Sequence, residues 1–213
     1  GETVLCPSNT FMATPLSVVN AGGNVEFVDC NKEDLCMSFE DFKAKAEIHN
    51  PKAVWIVHIG GHISFDIEKI ASYCKSNKIW LIEDCAHAHG AEWNGKKPGS
   101  WGDAGIYSMY ATKTISTGEG GILASKHQEL IDFSYKFRNY GKFEYDVEGL
   151  NYRMSELEAS LGITQLKKIN VFLRQRKKNF HKLKKVFENN RYFHIPDVNK
   201  KSFVSSYYCF SAI

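Results

Sequence analysis

Lys113 lies in the run Ser108-Met109-Tyr110-Ala111-Thr112-Lys113-Thr114-Ile115-Ser116-Thr117-Gly118-Glu119-Gly120-Gly121. An apolar segment ends at Ser108, a hydroxyl-rich turn holds the lysine, and a glycine-rich bend returns the chain to apolar residues. A lysine in a partly desolvated pocket loses part of its preference for the charged form. Its neutral amine can then condense with an aldehyde. Hydroxyls and backbone N–H groups around a turn also suit a phosphate. Taken alone, a lysine or a glycine bend of this kind is more often an ordinary surface feature. A second run, Ile79-Trp80-Leu81-Ile82-Glu83-Asp84-Cys85-Ala86-His87-Ala88-His89-Gly90, ends an apolar strand in two adjacent carboxylates. Such an acid either faces a ligand at the mouth of a sheet or caps the next helix.

The same region offers metal donors. His58, His62, His87, His89, Cys85 and Asp84 fall at or just after strand ends and could supply three ligands. No H-E-x-x-H and no paired cysteine spacing supports a metal hydrolase, so no metal is expected.

The elements that must position these residues alternate up to about residue 140. Short apolar runs at 3–6, 25–29, 53–58, 79–84, 104–108 and 121–125 read as strands. Helical patterns fill 11–21, 39–48, 66–76 and 128–138. Near-continuous apolar strands alternating with helices predict an α/β domain with a mainly parallel sheet flanked by helices. Ligands in such sheets bind beyond the carboxyl ends of the strands, which singles out Asp29, His58, Asp84 and Ser108.

Residues 140–152 read as a loop, and a long helix, bent or broken, is expected over 154–188. Its stretch 166–187 carries nine of the chain's basic residues and no acid, leaving the remainder net acidic by six. Apolar residues at Leu166, Ile169, Leu173, Phe180, Leu183 and Phe187 mark one face, so the charges form a solvated outer face. No interleaved aromatics or known module point to nucleic acid. No apolar run reaches 18 residues, so no membrane span is expected. Six scattered cysteines without a C-x-x-C pair suit a reducing cytoplasm. After Pro196 the chain becomes aromatic and strand-like, with a strand expected over 206–213. A large domain over 1–189 and the start of a smaller C-terminal domain over 190–213 are expected. Both ends read as interrupted elements, as of an internal stretch of a longer protein.

Three segments, E-D-C-A-H-A-H-G, S-M-Y-A-T-K-T-I-S-T-G-E-G-G and G-L-N-Y-R-M-S-E-L-E-A, resemble the DegT/DnrJ/EryC1/StrS aminotransferases in order and spacing. The resemblance runs from Gly1 to about residue 190. It implies a fold-type I, aspartate aminotransferase-like enzyme that uses pyridoxal 5'-phosphate. Its implied task is to move an amino group from an amino acid, glutamate by expectation, to a keto-sugar on a nucleotide. Lys113 matches the lysine that forms the internal aldimine, and Asp84 the acid on the pyridine nitrogen. His87 matches the Gln-or-His position near the ring hydroxyl. Phe11 matches an aromatic that stacks on the cofactor ring, and Ser108 a serine on its phosphate. Asn151, and more weakly Asn139, match an asparagine reaching the phosphate in a neighbouring subunit, which implies a homodimer with shared sites. The family's upstream Gly-Thr or Gly-Ser phosphate turn and much of its small domain have no counterpart in these residues. Two readings on the same fold compete. One is a pyridoxamine-phosphate-dependent sugar dehydratase, a branch that carries histidine where Lys113 stands. The other is a non-enzymatic cofactor-binding sensor, a type that carries a DNA-binding module.

Overall fold

The computed structural model describes residues 1–187, 190–193, 195–196 and 203–211. Six strands form one sheet: β1 (Thr3–Pro7), β2 (Asn24–Val28), β3 (Ala53–Val57), β4 (Trp80–Asp84), β6 (Ala104–Ser108) and β7 (Gly121–Ser125). Their order is β2-β1-β3-β4-β6-β7. The first five strands are parallel, and β7 runs antiparallel to β6. The reversal has a local cause. Residues 109–120 between β6 and β7 contain no helix to carry the chain back across the sheet, so it turns and returns beside the strand it left. That connection is the Lys113 turn.

Helices α1 (Ala13–Asn20), α2 (Phe39–His49), α3 (Ile67–Asn77) and α4 (Gln128–Phe137) are close to the expected ranges. α1 starts two residues later than expected, because the Phe11 carbonyl closes the first turn by accepting from Thr14 N–H. Phe11 is thereby left on the loop after β1. α2 begins at Ser38, whose hydroxyl accepts from Asp41 N–H, and Glu40 and Asp41 complement its positive end. One face of α2 buries Phe42 and Ala46, and Phe42 meets Tyr73 of α3 edge to face at 5.4 Å. With Leu5, Val54, Ile56, Leu81, Ile63, Ile67 and Ile70 these residues make the core.

The long helix is broken, as anticipated, into α5 (Glu156–Lys167) and α6 (Ile169–Phe187); its expected last residue, Glu188, lies outside the described residues. Ser155 and Glu158 form a reciprocal capping box at the start of α5. Ser155→Ala is expected to cost about 1 kcal/mol, measurable as a lowered denaturation midpoint with the site unaltered. The apolar stripe on α6 is only partly covered. Phe180 is buried, whereas Leu183 stays about half exposed, as does Leu166 at the end of α5. The cover is short: Tyr207 and Phe210 reach Phe180 with ring centroids 5.2 and 5.4 Å away.

Past Pro196 the strand expected over 206–213 is not formed by its described residues. The chain makes only β8 (Phe203–Val204), antiparallel to the two-residue β5 (Glu92–Trp93). The segment from Ser205 then bends onto the body of the domain. Ser206 N–H donates to the Gly61 carbonyl, Cys209 N–H to that of Gly60, and Tyr207 takes a left-handed φ of 51°. These bonds use the backbone groups a strand would need. Ala212 and Ile213 lie outside the described residues.

Candidate active site

Parallel strands bring their carboxyl ends to one edge, and the register sets what meets there. Val57 of β3, Asp84 of β4 and Ile106 of β6 are level, and Ser108 lies two residues further on. Side chains alternate along a strand, so Asp84 and Ser108 share one face while Glu83 points to the other.

Glu83 is fully buried and wholly engaged. Its carboxylate accepts from the N–H groups of Gly99, Trp101 and Gly102 at 2.7, 2.7 and 2.6 Å. The His58 Nε2 lies 2.9 Å from it. Ser64 N–H donates to His58 Nδ1, so the ring proton sits on Nε2 and points at the carboxylate. Burial works to raise the Glu83 carboxyl, but His58 and the backbone donors outweigh it and hold it below the ordinary value. The loop that feeds those donors rests against Gly105, where a Cβ would come within 2.3 Å of the Gly99 Cα. His58, Glu83 and Cys85 place three donor atoms within 4.8 Å of one another. The first two have their donor atoms committed, and burial drives the Cys85 thiol well above its usual range. His62 is committed as well, 2.6 Å from the Asp34 carbonyl. These are fold-holding groups.

Asp84 is different. One oxygen accepts from Ala86 N–H at 2.9 Å and the other from the Thr14 hydroxyl at a loose 3.4 Å. Burial leaves its carboxyl above the ordinary value, opposed by Ala86 N–H, His58, Lys113 and Thr14. A weakly satisfied carboxylate of this kind calls for a cation or an N–H on its open side.

His87 follows in a tight turn. Its Nδ1 is buried without a hydrogen-bond partner, and its pKa falls to about 4 through burial and then the charges of Lys113 and His89. His89 is also buried and is likewise lowered to about 4 by burial and then Lys113, against the backbone of Ser108, which favours its charged form. Both rings are neutral at neutral pH. Gly90 closes this turn at a φ of 83°, and a Cβ there would meet a Leu173 methyl at 2.6 Å. Only glycine lets α6 seat so closely, and Arg176 comes one turn later.

The Lys113 turn is closed by Lys113 N–H donating to the Tyr110 carbonyl and by Thr117 N–H donating to that of Met109. Lys113 is half-buried; its charge is felt by Asp84, His87 and His89 alike. Ser108 ends β6, its hydroxyl accepting from Tyr110 N–H at 3.3 Å. Four of the residues singled out from sequence therefore gather at one sheet edge: Asp84, His87, Ser108 and Lys113. Phe11 lies on the loop entering α1 and is 78% exposed. Asn139 and Asn151 form an isolated bridge with each other beyond α4, with Arg153 donating to Asn139. Among the described residues no hydrogen bond or ion pair joins either asparagine to Asp84 or Lys113. Thr14, His89 and Tyr208 also belong to this neighbourhood and were not singled out for it from sequence. Thr14 was legible as the first turn after β1, whereas Tyr208 is 96 residues from Thr112, which its hydroxyl meets at 3.2 Å.

Residues 1–213 match the DegT/DnrJ/EryC1/StrS aminotransferase family throughout. The chain belongs to this family. It is 33% identical over 203 residues to a GDP-perosamine synthase of Escherichia coli O157:H7, covering 90% of this chain and 55% of that protein. It is 35% identical over 215 residues to a UDP-4-amino-4,6-dideoxy-N-acetyl-beta-L-altrosamine transaminase of Campylobacter jejuni, covering 94% and 56%. The chain thus spans about half the length of the curated relatives it matches. Among solved structures, Helicobacter pylori PseC, an aminotransferase involved in the biosynthesis of pseudoaminic acid, superposes with a TM-score of 0.91. It is 27% identical, covering 99% of this chain and 58% of that one. A GDP-4-keto-6-deoxymannose-3-dehydratase, ColD, with bound GDP-perosamine reaches 0.91 at 25% identity, covering 100% and 60%. The fold-type I assignment follows from these matches and from the sheet order. The match also extends to 213, past the point near 190 where the sequence resemblance fades. No described helix is long and apolar enough to cross a membrane.

Proposed function

We propose that the protein containing this chain transfers an amino group from an amino acid, glutamate by preference, to a keto-sugar carried on a nucleotide. Pyridoxal 5'-phosphate, when bound, supplies an aldehyde for covalent attachment and a ring that accepts electrons from the substrate carbon. The residues present suit it. Asp84 has an open side for a protonated ring nitrogen. His87 has a free buried Nδ1 for a ring hydroxyl, and Lys113 a half-buried amine. The hydroxyls around Ser108 suit a phosphate. Phe11 fits as the aromatic over the ring. Asn151, and secondarily Asn139, fit as phosphate contacts made toward a second copy of the chain in a homodimer. Residues 1–189 then form the cofactor-binding domain, and residues from 190 begin a smaller one.

The single observation that carries this reading is the gathering of Asp84, His87 and Lys113, linked by charge, at the carboxyl edge of the sheet. Lys113 serves twice, first as the attachment point and then as the base that moves a proton on the substrate carbon. The test is to load the intact protein with cofactor, reduce with borohydride and map the labelled peptide. The label belongs on Lys113; on any other lysine the reading fails. A panel of keto-sugar nucleotides with glutamate then identifies the acceptor.

The dehydratase neighbour supports a second reading, loss of a sugar hydroxyl with the cofactor in its amine form. A lysine in the place where that branch carries histidine favours transfer. A product that keeps its hydroxyl and gains nitrogen separates the two.

A further inference from the structure

Tyr208 stands out because four separate contacts tie it to the candidate site. Its ring stacks on His87 with centroids 4.1 Å apart and planes 19° from parallel. Lys113 Nζ lies 5.0 Å from the centre of the same ring, within the range where a cation is held by an aromatic face. The phenol hydroxyl is 3.2 Å from Thr112 Oγ1, beside Lys113 in the turn. Arg176 of α6 donates to the Tyr208 carbonyl at 2.9 Å. The segment is held at its base as well: the Ser206 hydroxyl donates to the His87 carbonyl at 2.6 Å, and that of Ser205 to the Gly61 carbonyl at 3.0 Å.

We propose that Tyr208 is a positioning residue of this site, its ring fixing the plane of His87 and holding the Lys113 amine against one face. The strap from Ser205 to Cys209, pinned by Arg176 and Ser206, is the wall that keeps the ring there. Rotation of the His87 ring about its χ2 is broad in the absence of a neighbour. A stacked partner restricts it and directs Nδ1 to one side. The same wall removes His87 from water. His87 is then surrounded by Tyr208, Lys113 and His89, with Arg176 beyond His89, and contains no acid among these neighbours. The consequence for catalysis rests on the reading of Lys113 as the cofactor lysine, whereas the positioning itself is measurable without cofactor.

The experiment compares Tyr208→Phe and Tyr208→Leu in the intact apoprotein by two readouts. One is the titration of His87 followed by NMR. The other is the rate at which trinitrobenzenesulfonate modifies Lys113, read by peptide mass spectrometry. Without the ring, water reaches His87, and its titration should rise from about 4 toward 6.5. By the usual effect of burial on a histidine, that rise should be about one unit or more. Loss of the ring also uncovers the Lys113 amine that it faces at 5.0 Å, so labelling should quicken about three-fold or more. Tyr208→Phe keeps the ring and should match the unaltered protein in both. A purely structural role would lower the melting point without moving the native-state titration. If a folded Leu variant leaves both readouts unchanged, or if the Phe variant moves them as far as Leu does, the proposal is overturned. Should the Leu variant not fold, Tyr208→Gln removes the ring while tolerating half-exposure and is read the same way. A borohydride label away from Lys113 would instead fail the cofactor reading, leaving the apoprotein result to stand by itself.

Discussion

Lys113→Ala is expected to abolish turnover while leaving a folded protein that still holds cofactor by its other contacts. The lysine is half-buried in a turn closed by backbone hydrogen bonds that its side chain does not make, so truncation leaves the turn intact. Nor does it strand a partner, since Lys113 forms none of the ion pairs among the described residues. The melting point should therefore move little. Two losses then combine in the reaction. Covalent attachment disappears, and with it the positioned group that carries a proton to and from the substrate carbon. Loss of a positioned proton carrier alone costs about 10²–10⁴-fold in rate. Single-turnover rates should fall by at least that factor, and borohydride should fix no cofactor. Added methylamine, a soluble stand-in for the missing amine, should restore a measurable fraction of the rate. Near-normal turnover in this variant would show that the amine belongs to another residue.

The removal of a positive charge has a second, independent sign. Lys113 helps to depress both His87 and His89. In the unaltered protein both rings are neutral when folded and titrate near 6.5 when unfolded. The unfolded chain thus binds more protons than the native one as pH falls below 6.5. Stability contributed by these two rings is complete above that value and is lost progressively toward pH 4. Lys113→Ala should make that loss smaller and end it at a higher pH, because the rings then protonate more readily in the folded state. Denaturation midpoints measured from pH 7.5 to 4 check both statements.

Most of the sheet was legible because its strands are continuous apolar runs punctuated by turn residues. A parallel strand buried on both faces leaves little room for another reading of Ala53–Val57, and Trp80–Asp84 beside it is buried on one face and half-buried on the other. Helix boundaries were off by one or two residues where a cap decides them, as at Phe11 and Thr14. The stretch after Pro196 was misread for a more instructive reason. Ser206-Tyr207-Tyr208-Cys209-Phe210 has the aromatic composition of a strand, but the N–H groups of Ser206 and Cys209 are claimed by the carbonyls of Gly61 and Gly60. Those glycines lie far away in the chain, and no local pattern announces them. The site divides in the same way. Asp84, His87, Ser108 and Lys113 sit on strand ends or tight turns, where position in the sequence nearly dictates position in space. Tyr208 and Arg176 arrive from remote segments, so spacing carried no trace of their meeting. The adjacent acids were separable in principle by strand alternation. What alternation could not say was that Glu83 has four hydrogen-bonding partners waiting on its side.

That difference yields opposite outcomes for two isosteric changes. Asp84→Asn should cut turnover by about 10²-fold or more, the usual cost of removing one electrostatic contact from a preorganised site. Its carboxylate is held by one good hydrogen bond and one loose one, and burial already disfavours its charge. An amide in its place accepts from Ala86 equally well and carries no desolvation penalty for a charge. The melting point should stay within about 2 °C, a change worth about 0.5–1 kcal/mol for a domain of this size. Glu83→Gln reverses the pattern. The carboxylate takes three backbone N–H groups and the His58 ring proton at 2.6–2.9 Å in a fully buried site. An amide turns an NH₂ toward donors that need an acceptor, and leaves at least one of them unsatisfied. Breaking a buried pair of this kind costs about 3–5 kcal/mol, which lowers the melting point by roughly 10 °C at the scale expected for this size. The loop 99–102 should loosen first, visible as faster amide exchange at Gly99, Trp101 and Gly102. Rates per folded molecule should remain within a few-fold of normal, because Glu83 faces away from Lys113. A pH series supplies the sign. Glu83 is held below 4.5 in the native state, so its contribution is complete above that pH and is lost as pH falls through the folded value. The Gln variant should therefore lack that acid-dependent component. Equal losses of turnover from both substitutions at equal folded concentration would refute the assignment of Asp84 to the ligand side.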